Sequence, residues 1–166
     1  MEFVDIYDDN MIRTNIVKER KEELLKGEYH LSVHLWTICD NKILIQKRSK
    51  NKKICPNVWS IVTGGVISGE NAKQACKREC LEEIGIKIKD YKMVGSIKRK
   101  YDFVNIYITN KMPKIDDIVI DEKELQECKI IDINLFEQMI KNGEIIDSII
   151  EEYYKYIKPI IGEQIK

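Results

Sequence analysis

The stretch from Gly64 to Ile86, GGVISGENAKQACKRECLEEIGI, constrains this chain more than any other. Residues 71–85 are predicted to form a helix of about 13 residues, with Asn71 as its N-cap and Gly85 as its stop. That helix crowds three acids, Glu79, Glu82 and Glu83, into five residues. Positions three and four apart share a helix face, and like charges there cost about a few tenths of a kcal/mol per pair. Ala72, Cys76, Cys80 and Ile84 recur at fours on what is expected to be the opposite, apolar side, with the cysteines as small buried hydrophobes. A cluster of hard oxygen ligands with no built-in cation suits Mg²⁺ or Mn²⁺. Thr63-Gly64-Gly65 and Ser68-Gly69-Glu70 precede the helix, and glycines let a backbone turn tightly and approach a ligand. A loop of this kind can present a carbonyl to the same metal. The plain alternative, for three glutamates alone, is a solvated acidic face.

The rest of the chain sets limits. With 166 residues, a single domain over 1–166 is expected, carrying an N-terminal arm over about 1–27. Lys plus Arg is 28 and Asp plus Glu is 28, a formal net charge of zero, so binding to a nucleic acid polymer by bulk charge is not expected. Apolar runs are short and interrupted, so no membrane span fits, and MEFVDIYDDNMIRTN lacks the apolar region of a secretory signal. Cys39, Cys55, Cys76, Cys80 and Cys128 form no CxxC pair and read as reduced thiols of a cytoplasmic protein. Nothing fixes the oligomeric state, and a homodimer stays open.

Residues 3–7 read as a short strand or an extended arm. VKERKEELLK (17–26) is helix-friendly and polar, stopping at Gly27. Strands are predicted over 30–40 and 42–48 about an Asp40-Asn41 turn, over 57–65, as two within 91–110, and over 127–133. Helices are predicted near 134–142 and 144–161, broken at Asn142-Gly143, so that C-terminal helices occupy about 134–162. Ile145, Ile146, Ile149, Ile150, Tyr153 and Ile157 trace an apolar stripe that reads as core. Trp36 and Trp59 sit at strand positions and also read as core. This order gives an α/β (α+β) class, with a mixed sheet sandwiched between helices.

The spacing Gly64, five residues, Glu70, seven residues, then Arg78-Glu79-Cys80-Leu81-Glu82-Glu83-Ile84-Gly85-Ile86 resembles the complete Nudix box, GX5EX7REUXEEXGU. Cys80 stands at an aliphatic position, and the glycine pair falls one residue later than in many relatives. The resemblance implies the Nudix fold and a loop–helix–loop that holds a divalent metal against a diphosphate. It implies Glu79, Glu82 and Glu83 as metal ligands, with the Gly64 carbonyl as a further one, and Arg78 paired to Glu70. It implies attack of water on a phosphorus of a nucleoside diphosphate linked to another group, or of a related small-molecule diphosphate, with Glu82 or Glu83 as base. A base outside the box occurs in the family. Glu124 stands where some relatives carry one, although a plain surface glutamate is the simpler reading.

Beyond the box, GEYHLSVHLW and ILIQKRSKNKKICPNVWS resemble the branch containing isopentenyl-diphosphate isomerase and its hydrolase-like relatives. There an arginine and a lysine four residues on grip the substrate diphosphate, which points to Arg48 and Lys52. The alternative is a merely basic loop. His30 matches an isomerase metal-ligand position, but a packed strand histidine is the plainer reading. The isomerase reading needs a cysteine just after the tryptophan, where this chain has Ile61-Val62-Thr63-Gly64-Gly65. With the box also intact, a hydrolase outranks an isomerase. A non-catalytic nucleotide-binding module, the third reading, would be expected to have lost box glutamates.

Overall fold

The computed structural model describes residues 1–164. Nine strands and a set of helices form in the order β1 (Phe3–Tyr7), β2 (Arg13–Glu19), β3 (His30–Cys39), β4 (Lys42–Arg48), β5 (Trp59–Ser60), β6 (Val62–Gly65), α1 (Ala72–Ile84), β7 (Lys92–Lys98), β8 (Asp102–Thr109), β9 (Leu125–Asp132) and α2 (Ile133–Lys141). The C-terminal stretch is one irregular helical run. A 3₁₀ turn, Asp147–Ile149, leads into α3 (Ile150–Glu152), a π-helical turn over Tyr153–Ile157, and α4 (Lys158–Gln164).

Seven strands form one mixed sheet in the order β5-β4-β3-β8-β7, with β6 added to β3 and β9 to β4. β3 pairs parallel with β8 along eight residues, His30 with Asp102 through Thr37 with Thr109, and antiparallel with its other neighbours. Asp40 and Asn41 both take positive φ, 49° and 61°, which is the backbone a two-residue hairpin turn needs.

Period-two alternation divides the core in two. Trp36 and Ile38 of β3, Ile43 and Ile45 of β4, and Val104, Ile106 and Ile108 of β8 face one way, against Phe136, Met139, Ile149, Tyr153 and Ile157 of the C-terminal helices. Leu31, Val33 and Leu35, with Leu44, Phe103 and Tyr107, face the other way, against Ala75, Cys76, Cys80 and Ile84 of α1. Both tryptophans are buried, as core residues.

The arm departs from expectation. Residues 17–26 do not form a helix: β2 runs through Glu19 and pairs antiparallel with β1. The side chain of Asp8 accepts from the backbone N–H groups of Asn10 and Ile12, closing the turn between the two strands. A polar decapeptide has no apolar stripe to bury as a helix; its residues 17–19 pair with β1 instead, and residues 20–26 run on as turns and irregular chain.

Candidate active site

Helix α1 is capped at both ends as its sequence requires. Asn71 and Gln74 form a reciprocal capping box, and Gly85 ends the helix in the left-handed conformation at φ 72°. A Cβ at Gly85 would also stand 3.2 Å from Val119. The helix therefore starts and stops where it must to aim Glu79, Glu82 and Glu83.

Their placement corrects the helix-wheel expectation. Glu79 and Glu83 are 9% and 7% exposed, on the inward side beside Cys76 and Cys80 rather than opposite them. Glu82 stays in solvent. The two inward glutamates lie at the border of the apolar stripe, where α1 meets the loop before it. Burial outweighs every other influence on both. It raises the carboxyl of Glu79, and it pushes that of Glu83 up to about 8, against hydrogen bonds from Gln46 and the Thr63 backbone that work the other way. Gln46 Nε2 donates to Glu83 Oε2 at 2.6 Å.

Arg78 is the brace that the sequence pattern implied. Its guanidinium donates to Glu70 Oε1 and Oε2, both at 2.9 Å, and to the Gly65 carbonyl at 2.8 Å. It also donates to Glu79 Oε1 at 2.7 Å and Glu82 Oε2 at 3.2 Å. Glu70 in turn accepts from the Ile67 N–H at 3.2 Å, so loop and helix are tied at two points. Gly64 lies directly under Glu79: a Cβ there would come within 2.0 Å of the Glu79 carboxyl carbon.

A cavity of about 440 Å³ brings these groups together with others. Gly64, Arg78, Glu79, Glu82, Glu83, Arg48, Lys52 and Glu124 all line it. Lys52 Nζ is paired to Glu124 Oε2. Arg48 is partly committed elsewhere, its Nε and Nη2 donating at 3.0 Å to the carbonyls of Cys55 and Ile54. His30 does not line the cavity, and burial lowers its imidazole.

The sequence reading missed a second wall. Arg20, His34, Arg99 and Asp102 line the same cavity, from the arm, from β3, from the turn between β7 and β8 and from the start of β8. Gln46, behind Glu83, was missed as well. One signal was available: Gln46 interrupts the apolar alternation of β4, and His34 that of β3, two residues before Trp36.

The donor set tests the metal expectation. Among the described residues, no three His, Cys, Asp or Glu side chains are grouped as a ready-made cation cage. Arg78 instead holds Glu79 and Glu82 together as an ion pair. The chemistry of the set still fits a hard divalent ion: buried carboxylates whose charge burial opposes, above a glycine with no side chain in the way.

The NUDIX domain family model matches residues 28–145. The chain is 29% identical over 154 residues to an uncharacterised Nudix hydrolase of Listeria monocytogenes, covering 88% of this chain and 89% of that one. It is 30% identical over 166 residues to an uncharacterised Nudix hydrolase of Clostridium acetobutylicum, covering 91% and 79%. A solved structure from Deinococcus radiodurans superposes with a TM-score of 0.78 at 18% identity, over 93% of this chain and 98% of that one, a likeness of fold.

Proposed function

The chain belongs to the Nudix family and is a Nudix hydrolase, and from that premise we propose that it cleaves the diphosphate linkage of a nucleoside diphosphate derivative or related organic diphosphate with Mg²⁺ or Mn²⁺. The observation that carries this reading is the pair of buried glutamates, Glu79 and Glu83, opening on one cavity beside Gly64. Glu79, Glu82 and Glu83, with the Gly64 carbonyl, would hold the metal. When bound, a divalent ion supplies charge neutralisation at the phosphoryl oxygens and a more acidic water.

The protein's own groups do the rest. Arg78 fixes Glu79 and Glu82 against the loop, and Glu70 fixes Arg78. Gln46 and the Thr63 backbone hold the Glu83 carboxyl in place at the cavity wall. Glu82 or Glu83 takes the proton of the attacking water; Glu124 is the candidate from outside the box. Lys52, and Arg48 so far as its loop bonds allow, attract the diphosphate to the rim. The balanced net charge favours a small-molecule substrate over a nucleic acid polymer.

The isomerase-like alternative is disfavoured by Ile61–Gly65, which offers no cysteine. A panel of diphosphate compounds with Mg²⁺, following phosphate or nucleotide release, tests the proposal. Metal-dependent release is expected, and a chelator should abolish it. Double-bond migration in isopentenyl diphosphate without phosphate release would overturn the ranking. Tight nucleotide binding with no turnover of any compound would turn it toward a binding module.

A further inference from the structure

We propose that Asp5, in the N-terminal hairpin, is a positioning residue for the hydrolase reaction: it clamps the loop between β6 and α1 and so keeps Gly64, Glu79 and Glu82 aligned for a divalent ion. This rests on the metal-dependent hydrolase reading above and adds to it a part of the chain that precedes the matched residues 28–145.

Asp5 is the sole charged residue of β1, FVDIY, and it is 3% exposed. A buried carboxylate is costly unless donors surround it. Ser68 Oγ donates to Asp5 Oδ1 at 2.8 Å, the Gly69 N–H donates to Oδ2 at 3.2 Å, and Arg13 Nη2 lies 2.9 Å from Oδ1. Two of these donors come from the loop, 63 and 64 residues along the chain, and not from the hairpin itself. Also on β1, the Phe3 carbonyl accepts from the Ser68 N–H at 2.7 Å. Ser68 is thus held by both its backbone and its side chain. Gly69 takes a positive φ of 83°, and a Cβ there would meet nothing within 4 Å. Hydrogen bonds, rather than packing, therefore hold that turn.

The hairpin reaches the loop at a second point. Arg20, just after β2, lies against Gly65, where a Cβ would stand 3.3 Å from Arg20 Nη2. Arg20 is tied to the start of the arm, its N–H donating to the Glu2 carbonyl at 2.9 Å and its Nη1 to Glu2 Oε2 at 2.6 Å. The hairpin is anchored to the domain by reciprocal backbone bonds between Tyr7 and Tyr29, at 2.7 and 3.0 Å.

The clamp reaches the acids through Glu70 and Arg78. Glu70 follows Gly69 directly, its two oxygens hold Arg78, and Arg78 holds Glu79 and Glu82. Arg78 also holds the carbonyl of Gly65, the neighbour of Gly64. A shift of Ser68 and Gly69 moves Glu70, and with it the brace that aligns the acids. Apolar residues could fasten a hairpin to a domain about as well as a buried carboxylate does. What the carboxylate adds is direction, imposed on two adjacent donors. Groups that orient metal ligands from behind are worth about tenfold to a hundredfold in metal affinity or activity.

The test measures Mn²⁺ affinity of the full chain by paramagnetic resonance of free Mn²⁺, with Tm alongside, in Asp5→Ala and in Thr14→Ala. Thr14 braces the hairpin without touching the loop: its Oγ1 donates to the Ile6 carbonyl and accepts from the Ile16 N–H. Both variants should lose about a few degrees of Tm. Asp5→Ala should bind Mn²⁺ about tenfold more weakly and lose about tenfold in kcat on the best compound of the diphosphate panel, whereas Thr14→Ala keeps both. Unchanged Mn²⁺ affinity in Asp5→Ala overturns the proposal. So does an equal loss in the two variants, because affinity then follows stability. If Asp5→Ala fails to fold, Ser68→Ala removes one bond from the loop side; about threefold weaker Mn²⁺ binding is expected, and unchanged binding overturns the proposal. A wild type that binds Mn²⁺ but hydrolyses no diphosphate fails the hydrolase reading alone, and the Mn²⁺ comparison still decides. A wild type that binds no Mn²⁺ fails the metal reading on its own. Amide exchange then tests the clamp separately: Ser68 and Gly69 should exchange about tenfold faster in Asp5→Ala and not in Thr14→Ala, and no difference overturns it.

Discussion

One wall of the cavity is built from a single loop and helix: Gly64, Arg78, Glu79, Glu82 and Glu83 fall within twenty consecutive residues. The other wall draws Arg20 from just after β2, His34 from the middle of β3, Arg99 from the β7–β8 turn and Asp102 from the start of β8. The first wall is local, and its geometry is set by helix spacing and two caps. The second exists only once β3 and β8 pair in parallel and the C-terminal helices pack on the sheet. The difference separates a wall written in one stretch of sequence, which carries the proposed reaction chemistry, from a wall that only the assembled fold brings to the cavity. The predictions below probe the local wall first and the rim beside it last.

The largest effect is expected from Glu83→Gln, with turnover falling by about a hundredfold or more. The fold should survive, because the amide oxygen can still accept from Gln46. Steady-state kinetics with Mg²⁺, alongside circular dichroism, reads both. Activity close to wild type would remove Glu83 from the metal set and blur the division. Gly64→Ala comes next, at about tenfold or more. Its Cβ would meet the Glu79 carboxyl, which cannot swing away freely because Arg78 holds it. Weaker Mn²⁺ binding should accompany the loss of rate. Unchanged Mn²⁺ affinity would mean that Glu79 relaxes at no cost.

A third prediction concerns pH. The Glu83 carboxyl titrates at about 8 in the folded protein and near 4.3 when unfolded. Between those values the folded state binds the extra proton, so stability is full below the lower value and declines as pH rises through the upper one. Without metal, Tm should fall from about pH 5 to about pH 8, and saturating Mg²⁺ should flatten that fall by stabilising the ionised carboxylate. In Glu83→Gln the slope should shrink without metal. A slope that persists in the variant would assign the effect to another group, with Glu79 as the next candidate because burial raises it too.

What the sequence made legible follows the same line. Asn71 and Gly85 mark the limits of α1, and the Arg78–Glu70 pair is implied by the box and present in the fold. The Asp40-Asn41 turn and the two faces of β3 and β4 are also written locally, as turn chemistry and period-two alternation. Residues 17–26 misled because helix propensity is a weak prior, and the pairing of β2 with β1 overrode it. The inward turn of Glu79 and Glu83 needed the position of the loop under α1, which a helical wheel does not contain. His34 is held by the buried Glu152, which accepts from its Nδ1 at 2.8 Å from 118 residues away, and no spacing rule reaches that far.

The smallest effect separates two neighbours that the sequence treats alike. Arg48 and Lys52 share a spacing suited to gripping a diphosphate, but the fold uses them differently. Arg48 holds the carbonyls of Ile54 and Cys55 and so shapes the loop over 49–58. Lys52 is partly exposed and pairs with the half-exposed Glu124, a rim pair that contributes little to stability. Lys52→Ala should therefore raise KM by about threefold to tenfold and leave Tm nearly unchanged. Arg48→Ala should lower Tm as well as raise KM, because two loop carbonyls lose their donor. The Lys52 effect should weaken at high salt, as the attraction of an exposed charge for phosphate is screened. If Lys52→Ala changes Tm and not KM, the rim lysine serves the loop, and diphosphate capture falls to the wall that carries Arg20 and Arg99.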